Sequence, residues 1–114
     1  MANNIAFQPM GKTYKLAAPV ANTAVTIAIT ADSPCQQYMI ANHEMAGKGN
    51  YFRISESNVA AVLPDATGQY SMLAPPSVRF VVTGPQVGPT KTVYVSLIGE
   101  NNNSEIYITP GEGL

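Results

Sequence analysis

Strict alternation of side-chain character in the last quarter of the chain restricts its possible folds more than any other feature. In residues 91–98, Val93, Val95 and Leu97 fall at every second position, and Ile106 and Ile108 do the same in residues 104–109. Helical spacing would scatter these side chains around a cylinder. An extended strand puts all of them on one face. Both segments therefore read as half-buried β-strands.

The same reading extends along the chain. Residues 12–17 form a short candidate strand around Tyr14 and Leu16. Residues 24–30 set Val25, Ile27 and Ile29 against Thr26, Ala28 and Thr30. Residues 36–42 place Tyr38 and Ile40 opposite Met39 and Ala41, and residues 50–55 place Phe52 and Ile54 opposite Tyr51 and Arg53. Residues 69–73 form a weaker strand at Tyr70 and Met72. Residues 77–83 set Val78, Phe80 and Val82 against Arg79, Val81 and Thr83. Turn residues separate these runs: Pro9 with Gly11, Pro19, Pro34, Gly47 to Asn50, Pro64 with Asp65, Pro75 with Pro76, Gly84 with Pro85, Gly88 with Pro89, and Gly99 to Asn103. Proline cannot donate to a ladder and glycine supplies positive φ, so these positions are expected to end strands. About eight short strands at this spacing predict an all-β sandwich or barrel. Residues 57–63 alone could form a helical turn.

With 114 residues the chain is expected to form one domain with one core. We divide it into an extended N-terminal arm, residues 1–11, and a β-sandwich domain, residues 12–114. Only 11% of residues are charged, against roughly 25% in an ordinary soluble domain. Six basic and seven acidic side chains lie singly along the chain. The absence of a basic cluster argues against nucleic acid as a partner. Residues 16–31 are interrupted by Pro19 and Asn22, which argues against a membrane span. The opening residues lack the charged and apolar pattern of a secretory signal, and one cysteine allows no intrachain disulfide framework. Synthesis in a reducing cytoplasm is the expectation.

Candidate catalytic chemistry is sparse. His43 is the single histidine, and Glu44 beside it would point to the opposite face of a strand. No Gly-x-Ser-x-Gly elbow occurs. One histidine and one cysteine argue against a zinc site. Cys35, after Pro34, reads as a buried small hydrophobe. The seven carboxylates show no paired spacing, and Gly47-Lys48-Gly49 reads as a hairpin tip and not as a phosphate loop. We expect no enzyme activity, no cofactor and no metal.

Interaction surfaces are better represented. If Val93, Val95 and Leu97 point inward, then Tyr94, Ser96 and Ile98 point outward, and by the same rule so do Met39, Tyr51, Val81 and Tyr107. Scattered apolar surface is normal on a sandwich. Tyrosine and methionine with little charge are also the composition of a protein contact face. Ile5 and Phe7, in the weakly charged arm, could add to a neighbour's sheet edge or fold back on their own. The candidate protein-binding residues are thus Ile5, Phe7, Met39, Tyr51, Val81, Tyr94 and Tyr107.

The segment from Asn4 to Thr13 and the closing segment from Ile106 to Leu114 resemble small virion proteins of tailed bacteriophages. Tyr38 to Asn42 followed by Tyr51 to Ile54 is similar to a strand–loop–strand pattern in that group. The resemblance implies a jelly-roll-like antiparallel β-sandwich. It also implies a capsid decoration (cement) protein on the exterior of the virion, with the major capsid protein as partner and a dimer or trimer as its own state. The alternatives are a tail or head–tail junction component, or a carbohydrate- or receptor-binding β module. The resemblance carries no catalytic residue.

Overall fold

The computed structural model of the protein describes residues 7–42, 49–74 and 78–113. Nine strands form among the described residues: β1 (Gln8–Pro9), β2 (Tyr14–Ala18), β3 (Val25–Ile29), β4 (Cys35–Asn42), β5 (Asn50–Ser55), β6 (Met72–Ala74), β7 (Val78–Val87), β8 (Val93–Gly99) and β9 (Ser104–Glu112). Every pairing is antiparallel.

The pairings are nested. The last strand, β9, pairs with β2, β8 with β3, β7 with β4, and β6 with β5. The chain thus behaves as one long hairpin folded at the connection between β5 and β6. Wrapping that hairpin adds two lateral contacts, β9 with β4 and β8 with β5. The result is two sheets. The first has the order β2-β9-β4-β7, with β1 continuing the β2 side of β9, and the second has the order β3-β8-β5-β6. This is the jelly-roll order, an antiparallel β-sandwich.

The inward residues of both sheets make one core. Leu16, Tyr38, Ile40, Ile106 and Ile108 of the first sheet face Ile29, Phe52, Val93, Val95 and Leu97 of the second, and all are buried. Each such side chain contributes roughly 1.5–3 kcal/mol relative to exposure. Phe52 and Phe80 meet across the sheets with ring centroids 5.9 Å apart. At one end a buried amide pair ties the layers together. Asn42 of β4 donates to the Ala74 carbonyl of β6 at 2.7 Å and accepts from Asn50 of β5 at 3.3 Å.

The strand expectations hold with shifted ends, and the departures have local causes. Residues 57–63 form no helix; the connection 56–71 runs without regular structure. Gly84 and Pro85 do not end β7. Cys35 pairs with Val87 and Gln37 with Thr83, so a bulge on β7 absorbs two extra residues there. A bulge is where a strand tolerates proline. Pro110 likewise sits inside β9, and its carbonyl accepts the Met10 amide at 2.9 Å. Part of the expected arm is a strand: Gln8 pairs with Glu112 and Pro9 with Gly111.

Candidate functional site

The outer face of the first sheet is assembled from odd-numbered positions of β4, β7 and β9. Met39 lies between Val81 and Thr109, and one register step away Ala41 lies between Arg79 and Tyr107. Gly111 continues the row beside Gln37, and the Phe7 ring occupies the space a Gly111 side chain would take: a Cβ there would clash with Phe7 Cζ. Four candidate contact residues therefore share one face, Phe7, Met39, Val81 and Tyr107, each half-buried. Among the described residues charge is confined to the margins of this strip. Lys15 pairs with Glu105 at 3.5 Å, the Tyr107 hydroxyl donates to Glu105 at 3.2 Å, and Arg79 lies on the opposite edge strand.

Tyr51 and Tyr94 lie on the other sheet. Tyr51 is between Ile98 and Leu73, and Tyr94 is between Ala28 and Ser55. They do not join the strip. Their face is covered in part by the chain's own connection 56–71. Ser96 and Ile98 point outward as alternation requires, yet both are buried. Ser96 Oγ accepts the Ala61 amide at 2.8 Å and the Thr26 hydroxyl at 3.0 Å. Ile5 lies outside the described residues, as do His43, Glu44 and the hairpin tip Gly47-Lys48.

A second surface was not anticipated from the sequence. Between the open ends of β5 and β7 lies a groove of about 460 Å³, whose apolar lining includes Phe52, Ile54, Val82, Tyr70 and Met72. Tyr70 is 82% exposed, with the Arg53 guanidinium 5.3 Å from its ring centroid. Met72 and Leu73 are about half exposed. A local turn sets Tyr70 in place. The Asp65 carboxylate accepts from the Thr67 hydroxyl at 2.7 Å, the Thr67 amide at 2.9 Å and the Gln69 amide group at 3.1 Å. The Thr67 hydroxyl, followed by Gln69, holds the Asp65 carboxyl below its usual range. The sequence signal for this groove was weak, because residues 56–71 alternate with neither period and exposure there depends on where the connection crosses the sandwich.

Cys35 and Tyr38 are titratable side chains that serve the packing. Cys35 is buried, and burial, with Glu112 as a lesser influence, raises its pKa. Burial also raises the pKa of Tyr38, assisted by Cys35 and Glu56. Among the described residues no group of three His, Cys, Asp or Glu side chains could hold a metal ion. No helix among them is long and apolar enough to cross a membrane. Comparisons with protein-family models, curated proteins and solved structures found no match.

Proposed function

We propose that this protein is a structural binding module, and specifically a decoration protein that attaches to the exterior of an assembled bacteriophage head and braces the major capsid protein. The observation that carries the reading is the strip of Phe7, Met39, Val81 and Tyr107 on the outer face of the first sheet, with charge only at its margins. Aromatic and methionine side chains with little central charge suit the core of a protein contact. The resemblance of both ends of the chain to small virion proteins selects the partner. Such a protein works by mass action: it binds the assembled shell and lends the shell its own binding free energy, repeated over many copies.

The test is sedimentation of purified protein with assembled heads lacking it and, separately, with free capsid subunits. The expected outcome is saturable binding to heads at hundreds of copies, with a raised head melting temperature, and weaker binding by Met39→Asp. A dozen copies or fewer, located on the tail, would move the assignment to a tail or junction component. Absence from both heads and tails would end the virion reading.

A further inference from the structure

We infer that the outer edge of β7 pairs with the same edge of a second copy of this chain, forming a symmetric antiparallel dimer with Val81 on the two-fold axis. β7 is ten residues long and pairs with β4 along one side. No strand pairs with its other side among the described residues. Natural edge strands are usually guarded by charge, proline, a bulge, shortness or a covering segment. In β7 the bulge and Pro85 guard residues 84–87, and residues 78–83 contain neither. Arg79 is the one charged side chain in β7. The core is also unfinished along this edge. Phe80 and Val82 point inward but remain half-buried, whereas Ile40 and Tyr38, their partners on β4, are fully buried. A further strand beside β7 would complete the burial, and the apolar groove with Tyr70 and Met72 opens on the same side.

The side chains of β7 select this occupant and this register. Antiparallel partners must point to the same face, so a two-fold axis has to pass through a residue and not between two. Centring on Arg79 would oppose two guanidinium groups, and centring on Phe80 would pair only residues 78–82 of the strand, against 78–84 for Val81. Centring on Val82 would bring Arg79 against Pro85, which has no amide to donate. Centring on Val81 opposes Val81 to Val81, Phe80 to Val82 and Arg79 to Thr83. That arrangement places no like charges together and lets each guanidinium meet a threonine hydroxyl on the second copy. Pairing of the two first sheets would also join the Met39 and Val81 strips of both copies into one continuous band.

The inference concerns the free protein and is independent of the capsid reading, since a monomer could decorate a head and a dimer could bind elsewhere. Its test is analytical ultracentrifugation of the purified protein at roughly 100 µM, a range that detects weak dimers. A dimer is expected. Thr83 is exposed, so substitutions there are readily accommodated. Thr83→Glu, opposite Arg79 of the second copy, should tighten the dimer, and Thr83→Lys should loosen it, each by roughly ten-fold over the two symmetric pairs at low salt. Val81→Cys should form a covalent dimer on oxidation, because facing antiparallel residues lie within disulfide reach. A monomer at that concentration overturns the inference. So does a dimer that responds equally to Thr83→Glu and Thr83→Lys, or one that Val81→Cys fails to cross-link while circular dichroism shows the variants folded.

Discussion

Tyr38 shows how one side chain connects an irregular backbone to the core. Its ring lies against Gly84, where an added Cβ would come within 3.1 Å of Tyr38 Cε1, and its hydroxyl donates to the Pro85 carbonyl. The bulge in β7 therefore rests on this residue. Removing the hydroxyl in Tyr38→Phe leaves that carbonyl without the bond and is expected to cost about 1 kcal/mol in urea unfolding. A pH effect accompanies it. Burial raises the folded-state pKa of Tyr38 above its unfolded value, so the unfolded chain releases the phenolic proton first. The stabilisation is fully present below the ordinary tyrosine pKa of about 10 and is lost as pH rises above it. The wild type should lose stability more steeply above that pH than Tyr38→Phe; equal slopes would show that the phenol is not withheld from solvent. The inward direction of Tyr38 was legible from alternation in residues 36–42. Its partner was not, because Pro85 reaches it only through a bulge that places two extra residues opposite one.

At the scale of elements, the connection 56–71 acts as a cover and not as a spacer. Its anchor is Ser96, buried on a face that alternation marks as outward. Ser96→Ala removes the acceptor of the buried Ala61 amide and of the Thr26 hydroxyl. Leaving such a donor unpaired costs about 1–3 kcal/mol. The expected outcome is a lowered melting temperature together with faster proteolysis within residues 56–71. A lowered melting temperature with unchanged cleavage would detach the cover from this hydrogen bond. Strand interiors were legible because each carries its own period-2 signal. This connection was not, because what ties it to the sandwich is the meeting of Ala61 with Ser96, 35 residues away. For the same reason the outward residues read as one candidate face divide in two. Alternation tells which residues share a side of a strand but not which strands share a sheet. Phe7, Met39, Val81 and Tyr107 came together by the β4, β7 and β9 pairings, while Tyr51 and Tyr94 went to the opposite layer.

At the scale of the whole molecule, the nested pairing joins strands from the two ends of the chain, with Tyr14 opposite Ile108 and Ala18 opposite Ser104. Such contacts form only after large loops have closed, which slows folding. Refolding from urea is expected in the millisecond-to-second range by stopped-flow fluorescence of the tyrosines; complete recovery within microseconds would contradict it. The division between what was readable in the chain and what was not follows the same boundary. Alternating side chains and breakers determined that this protein is an all-β domain of short strands, since those are local properties of consecutive residues. Only the tertiary structure decided which strands became neighbours, that Pro85 and Pro110 lie inside strands, which face the connection 56–71 covers and which strands form the sheet edges. Each of these depends on side chains distant in sequence meeting across the sandwich, and no local pattern encodes such a meeting.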